Sequence, residues 1–437
     1  MTKNPLGCGR RPIEIYDMER AREGLRICLM SYRGNPYCGG QGVYVQCLAR
    51  ELVELGHEVL MVVGPPYPLP VGGVEVHRVG NLMFFGSSTY QILKRTSPSL
   101  LLSPLNLYEY ASSRIGVFPE IRSFSFRAYF RLREIMRNRP FDVIHDNQCL
   151  GFGLLLLKGF GIPLVSTIHH PLTIDRRTWF EQPATLVQKV KMILYYPLLM
   201  QRIVANRMDR IITVSRDAAA RISEDFGVPS ERIRVVYNGI DPTLFRMLPD
   251  AEKVPRRIIF VGNVADRKKG ILYLLQAMTF LDDDVELVVV DGGTPTRVST
   301  AELIRSYGLG SRVRITGKIE TEEVVRLYCS AQLAVVPSLY EGFGFPAAEA
   351  MACELPVVAT KAGALPEVVG PPGEAGLLVP PRDPHALARA IAELLKAPER
   401  CRQMGKAARQ RVLREFSWRR AASQLVEHYR EVMECSR

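Results

Sequence analysis

Pro337-Ser-Leu-Tyr-Glu341-Gly-Phe-Gly-Phe-Pro-Ala-Ala-Glu349-Ala-Met-Ala-Cys-Glu-Leu-Pro-Val-Val-Ala-Thr360 is the stretch on which the fold turns. Ahead of it the apolar run Ala334-Val335-Val336 stops at Pro337, as a buried strand does. The chain must then bend through Gly342 and Gly344 into a helix opened by Pro346, because proline at the first helical position gives up no hydrogen-bonded amide. Strand, glycine loop and helix in that order make the crossover of an open α/β sheet, and such sheets bind ligands beyond the carboxyl ends of their strands. Amides of the loop and of the first helical turn point outward there and suit a phosphate. Glu341 and Glu349 bracket the site. Ionised carboxylates only accept hydrogen bonds, so the pair fits the hydroxyls of a polyhydroxylated ligand.

The two glutamates separated by seven residues, the Gly-Phe-Gly between them, and the Ala-Met-Ala and Pro-Val-Val-Ala-Thr that follow resemble the signature of the retaining glycosyltransferases of family 4. That family has the GT-B fold, an α/β architecture of two doubly wound Rossmann-like domains facing across a cleft. The resemblance implies that Glu341 contacts hydroxyls of a donor sugar and Glu349 the ribose of its nucleotide. Phe343, Gly344 and Phe345 then fall in the donor-binding loop. Spacing alone assigns none of these roles.

At 437 residues the chain is too long for one core, and 47% hydrophobic residues suffice for two. Nine cysteines without a Cys-x-x-Cys pair point to free thiols in a reducing, cytoplasmic compartment. The longest apolar stretch, Gly151 to Ile168, is broken by Lys158 and Pro163 and falls short of a membrane span. Residues 1–24 carry charges throughout and read as a loose tail rather than a signal peptide. The net charge of +12 is uneven: residues 1–250 hold 31 Lys and Arg against 22 Asp and Glu, residues 251–437 hold 26 against 23. No helix-turn-helix, RNA-binding or zinc pattern accompanies the surplus, which excludes nucleic acid and leaves an anionic membrane surface or substrate as the expected partner.

Leu25 to Ser31 reads as a first strand, Val43 to Leu55 as a helix closed by Gly56, and His57 to Val63 as a second strand. The turn Cys38-Gly39-Gly40-Gln41-Gly42 delivers the chain into that helix. It is similar to the family's first crossover, which implies that Gly39 and Gly40 lie under the donor diphosphate, although a turn needing positive φ accounts for the glycines as well. Between residues 65 and 140 the resemblance lapses. Six arginines, from Arg122 to Arg139, interleave with Phe124, Phe126, Tyr129 and Phe130, as expected of an amphipathic helix with a solvated basic face and, second, of a membrane contact. In Lys189 to Arg207, a second basic apolar run, Pro197 should kink or divide any helix. Strands at Phe141–His145 and Pro163–Ile168 end in the polar clusters His145-Asp-Asn147 and His169-His170-Pro171. Resemblance places His169 beside the donor sugar.

Leu248 to Arg256 is the expected linker, and Arg257 to Gly262 opens a second sheet. In the loop Asn263-Val-Ala-Asp-Arg-Lys-Lys-Gly270 the family carries Arg at the first position and Lys before the last, both on the donor phosphates. Lys269 matches. Asn263 replaces the Arg, and Arg267 or Lys268 is the expected source of the missing charge. Asp282-Asp-Asp284 is a surface turn rather than a metal site, and Asp291-Gly-Gly-Thr294 partly matches a family glycine turn. Arg419 to Cys435 resembles the terminal helix that crosses back to the first domain.

The reading is therefore an N-terminal acceptor-side domain, 25–247, completed by the crossing segment 416–437, and a nucleotide-sugar domain, 256–415. The implied activity is metal-independent hexosyl transfer with retention. The donor is a nucleoside diphosphate sugar, no cofactor is called for, and the acceptor is a glycan or lipid-linked hydroxyl at the inner face of a membrane. Another GT-B enzyme, an epimerase or phosphorylase, and a sugar-binding silent subunit remain alternatives.

Overall fold

The computed structural model describes residues 24–36, 39–81, 102–114, 117–180, 185, 189, 192–193, 195–291 and 300–435. The N-terminal tail up to residue 23, Cys38, and Gly292 to Thr294 of the glycine turn lie outside the described residues.

Seven strands form the first sheet: β1 (Arg26–Ser31), β2 (Glu58–Val63), β3 (Val74–Arg78), β4 (Val143–Asn147), β5 (Leu164–Ile168), β6 (Arg210–Thr213) and β7 (Ile233–Val235). Six form the second: β8 (Arg257–Val261), β9 (Glu286–Val290), β10 (Val313–Ile315), β11 (Leu333–Val336), β12 (Val357–Thr360) and β13 (Gly376–Val379). Their orders are β3-β2-β1-β4-β5-β6-β7 and β10-β9-β8-β11-β12-β13, and every pairing is parallel. Chain order reverses direction at β1/β4 and at β8/β11, the switch points at which doubly wound sheets open a crevice. Because both faces of such sheets are covered, β1, β4, β5, β11 and β12 are buried along their whole length, the polar ends of β4 and β5 included.

Local chemistry explains the elements around the crevices. The first helix runs Gly40–Glu54, starting three residues before the apolar periodicity does, because Gly39 at φ 112° turns the chain and caps it. The signature helix is Phe345–Ala352, so Pro346 stands at its second position rather than its first, where its missing amide is equally harmless. Glu120–Ile135 is amphipathic as expected: Ile121, Phe124, Ala128 and Leu132 are buried and Arg131 and Arg133 exposed. Pro197 immediately precedes the helix Leu198–Ala205.

The helix Trp418–Cys435 crosses back onto the first sheet. Its Trp418, Leu425 and Tyr429 share a core with Tyr44, Leu48 and Leu52, each almost fully buried and contributing on the order of 2 kcal/mol by removal from water. Phe416, just ahead of it, packs in the core of the second sheet. Of the three aspartates 282–284, Asp282 and Asp284 pair with Arg256 at 2.6 and 2.8 Å and Asp283 with Arg312 at 3.3 Å, which agrees with a surface turn. Seven described cysteines are free thiols.

Candidate active site

The carboxyl ends of the two sheets face each other across a cleft of about 360 Å³. The first sheet contributes Gly40, Gln41, His169, His170, Val214 and Asn238, and the second Asp266, Lys268, Lys269 and the run Tyr340 to Pro346. The cleft thus unites His169, Gly40, Lys268, Lys269, Glu341, Phe343, Gly344 and Phe345. Gly39, Asn263, Arg267 and Glu349 do not line it.

The two walls meet closely. A Cβ on Gly342 would stand 2.6 Å from the carbonyl oxygen of His169, so only glycine lets the signature loop approach the end of β5. Phe345 stacks on Trp418 at 6.4 Å, and Glu367 of the second unit accepts the amides of Arg216 and Asp217, capping the helix Arg216–Phe226 from across the cleft.

His169 is positioned by the last residue of β4 and the first of the loop after it. Its backbone amide donates to Gln148 Oε1 at 2.8 Å, and its Nε2 lies 2.7 Å from Asn147 Oδ1. Asn147 Nδ2 donates to the Gln41 carbonyl at 3.1 Å, which fixes the amide orientation, so Oδ1 must accept and His169 Nε2 must carry the proton. Its Nδ1 is then an acceptor. Burial, aided by the charges of His170 and His145, pushes the imidazole down to about 3, and the ring stays neutral at physiological pH. An edge contact with Tyr44 at 4.8 Å holds its plane. His145, the other strand-end histidine, is structural: it binds Thr167 Oγ1 at 2.7 Å and the Tyr429 hydroxyl, tying the crossing helix to β4.

The facing wall is charged. Lys269 Nζ contacts both oxygens of Glu341, at 2.8 and 3.0 Å, and Ser338 Oγ donates to the same carboxylate at 2.7 Å. Lys268 reaches across the cleft to Asp175 on the helix Leu172–Phe180, whose other oxygen meets His170 Nε2 at 3.1 Å. Burial opposes the charge on Asp175, but His170 and Lys268 outweigh it and hold the carboxyl below its ordinary range. Arg267 is exposed, outside the cleft, so the loop's second cation there is Lys268. Within the loop, Asn263 Oδ1 accepts the Ala265 amide at 2.9 Å in an Asx-type turn. Glu349 is partly buried one turn into the signature helix, with the Tyr328 hydroxyl at 3.3 Å. Burial pushes its carboxyl up to about 7, against the pull of Tyr328 and Lys269.

Sequence reading named Asn147 only as part of a strand-end cluster and missed Gln148, Asp175 and Asn238. Asn238, 1% exposed, lines the cleft, and its Oδ1 has no hydrogen-bond partner among the described residues. An unmet buried acceptor costs about 1–3 kcal/mol, and a bound hydroxyl would relieve it.

Comparison with known proteins decides the family. The Glycosyltransferase Family 4 model matches residues 38–244, and that of glycosyl transferases group 1 matches residues 249–411. The MMP alpha-(1->4)-mannosyltransferase of Mycolicibacterium hassiacum is 40% identical, over 94% of this chain and 98% of that one. The chain belongs to glycosyltransferase family 4. As a family 4 glycosyltransferase it is also similar to the D-inositol 3-phosphate glycosyltransferase of Thermobispora bispora, 28% identical over 95% of this chain and 96% of that one. Among solved structures, the sucrose-phosphate synthase of Thermosynechococcus elongatus superposes with a TM-score of 0.71 at 26% identity, covering 94% of this chain and all of that one. Anabaena HepE, solved with UDP and glucose, gives 0.67 at 19% identity over 93% of this chain and all of that one, a likeness of GT-B fold.

Proposed function

We propose that this glycosyltransferase transfers a hexosyl unit, mannose being the first choice, from a nucleoside diphosphate sugar to a hydroxyl of a neutral glycan, with retention of configuration. The observation that carries the reading is the cleft itself, where Lys268, Lys269 and the signature-loop amides face a neutral, oriented histidine. As the bond between the anomeric carbon and the diphosphate breaks, positive charge builds on the sugar and negative charge on the leaving oxygen. Lys269, Lys268 and the first amides of the helix Phe345–Ala352, which line the cleft, take the anion in this reading. The acceptor oxygen attacks the face the diphosphate leaves, and its proton passes to the departing phosphate oxygen. Products are the extended glycan and the nucleoside diphosphate. The two lysines supply the charge that a divalent ion supplies elsewhere, so chelation of metal should leave the rate unchanged.

Mannose and the α-(1→4) linkage are taken from the 40% identical relative. Incubation of the purified protein with GDP- and UDP-linked mannose and glucose, with and without α-(1→4)-mannotetraose, tests the reading by mass spectrometry and by NMR of the new anomeric proton. Inverted product, or sugar release that never reaches an acceptor, overturns it.

A second reading places the acceptor at an anionic membrane. Phe130, 52% exposed, stands beside exposed Arg131 and Arg133 on the helix Glu120–Ile135. No helix among the described residues is long and apolar enough to cross a membrane, so the contact would be peripheral. Equal co-sedimentation with neutral and anionic liposomes at low salt removes this reading.

A further inference from the structure

A second cavity, of about 540 Å³, lies at the opposite end of the first sheet from the cleft, where β6 and β7 begin, and shares no lining residue with the cleft. Five cations line it, Lys158, Arg207, Arg210, Arg232 and Arg234, against two carboxylates, Asp209 and Glu231. Asp209 is already engaged, by Lys158 Nζ at 2.7 Å and the Leu164 amide at 2.8 Å. Arg210, the first residue of β6, is 9% exposed. Its Nη2 stands 3.4 Å from Glu431 Oε2 on the crossing helix, and its Nε has no hydrogen-bond partner among the described residues. Arg232 Nη1 donates to the carbonyls of Asn206 and Met208 at 3.0 and 3.3 Å, and Arg234 Nη1 to those of Glu231 and Ile233 at 2.7 and 3.1 Å. Among the described residues neither guanidinium pairs with a carboxylate, and the Arg207 side chain has no polar partner at all. Even with Glu431 counted, a surplus of positive charge faces this cavity.

We infer that the cavity is a binding site for a phosphomonoester, at a place that glycosyl transfer does not use. Guanidinium groups gathered without carboxylates repel one another, so their convergence adds nothing to folding and is explained by an anion that they share. A phosphomonoester carries close to two negative charges at neutral pH and three outward oxygens, which suits several guanidinium forks better than one carboxylate would. The three arginines without carboxylates come from three segments: Arg207 from beyond the helix Leu198–Ala205, Arg232 from the end of the short turn Ser230–Arg232, and Arg234 from β7. Main-chain carbonyls hold one nitrogen each of Arg232 and Arg234, which fixes the two forks and leaves their remaining N–H groups for phosphate oxygens. The cavity falls within the roughly 300–1,000 Å³ of small-molecule sites and is larger than a bare phosphate needs, so the ligand carries an organic part. Val432 and Cys435, in the last turn of the crossing helix, complete the lining. A ligand there ties that helix to the starts of β6 and β7.

The test uses the full-length protein, with glycerol 3-phosphate as the soluble probe and phosphatidylcholine vesicles containing phosphatidic acid as the lipid one, since both present the same phosphomonoester. Calorimetry should show saturable binding of glycerol 3-phosphate to wild type and a loss of affinity of about ten-fold or more in Arg207→Gln/Arg234→Gln. Lys268→Ala/Lys269→Ala, which strips cations from the cleft, should leave this binding within two-fold of wild type. Arg207→Glu alters a side chain without polar partners, so it keeps the test decisive if the double variant misfolds, and its loss should be at least as large. The probe should also raise the Tm of wild type but not that of Arg207→Glu. Phosphatidic acid vesicles that bind wild type and release the arginine variants identify a lipid headgroup as the source of the phosphate, whereas equal co-sedimentation of wild type and variants, with the soluble probe still discriminating, identifies a soluble metabolite. No saturable binding of glycerol 3-phosphate to wild type, equal binding by wild type and the arginine variants, or binding lost in the lysine variant instead, overturns the site.

Discussion

The two walls of the cleft are built on opposite terms. From the first sheet comes a wall that is neutral around His169, where the ring, Asn147 and Gln148 are hydrogen-bonded in one arrangement against Tyr44, and that carries Asp175 as the partner of Lys268. From the second comes a charged wall whose charges are spent on carboxylates, Lys269 on Glu341 and Lys268 on Asp175. A neutral, fixed wall needs no rearrangement when a sugar arrives. To take up the proposed donor, the charged wall must exchange carboxylate for phosphate, and every exchange alters two groups at once.

The largest break in this contrast is Glu341→Gln. It removes the carboxylate proposed to accept from the sugar and releases Lys269, so turnover should fall about 100-fold or more while affinity for free nucleoside diphosphate holds or tightens. Steady-state rates and calorimetry check both halves. Turnover within three-fold of wild type ends the role proposed for Glu341.

Glu349 lies beneath the charged wall and differs in sign from an exposed carboxylate. Its folded value of about 7 stands above the ordinary 4.5, so between those values the folded state binds the proton and the unfolded state does not. Its contribution is therefore fully present below pH 4.5 and is lost as pH rises through 7. Glu349→Gln should stabilise the protein at pH 8, by up to about 3 kcal/mol, and give no gain near pH 4.5. Thermal unfolding at both pH values checks this, and an equal effect at both refutes it. The same substitution should weaken diphosphate binding if the carboxylate holds the ribose.

Asn147→Asp sharpens the neutral side by adding charge to it. A carboxylate 2.7 Å from His169 Nε2 favours the imidazolium, so turnover should fall about ten-fold at pH 6 and recover toward pH 8, giving the pH-rate profile a new limb. An unchanged profile would mean that neutrality of this ring is not used. The smallest effect is expected from Asp175→Asn, which frees Lys268 from its cross-cleft partner. Diphosphate should bind roughly three- to five-fold tighter at low salt, with less gain at high salt. Weaker binding would show that the pair supports the closed cleft instead.

What could be read beforehand followed from local order. Strand, Gly342 and Gly344, and the helix carrying Glu349 lie in one run of sequence, so the crossover was visible from residue types alone. Lys269 and Glu341 were each named, but their ion pair spans 72 positions and no spacing announces it. Asn147 and Asp175 were out of reach for a related reason. Their work is done through His169 and Lys268, and which polar residue at a strand end turns toward a neighbour depends on packing between strands. What Asn263 does for its own loop was hidden too, since its acceptance of the Ala265 amide depends on the turn the loop adopts rather than on residue spacing.

The helix Trp418–Cys435 covers a face of the first sheet, although some 180 residues of the second unit are made in between. At ribosomal rates of 5–20 residues per second, the first unit waits roughly 10–40 seconds for its final piece. For that interval Tyr44, Leu48 and Leu52 look onto water or a chaperone, and β4 lacks the hydroxyl that will meet His145. The sugar cleft is thus assembled last, when the polypeptide returns to the place it began.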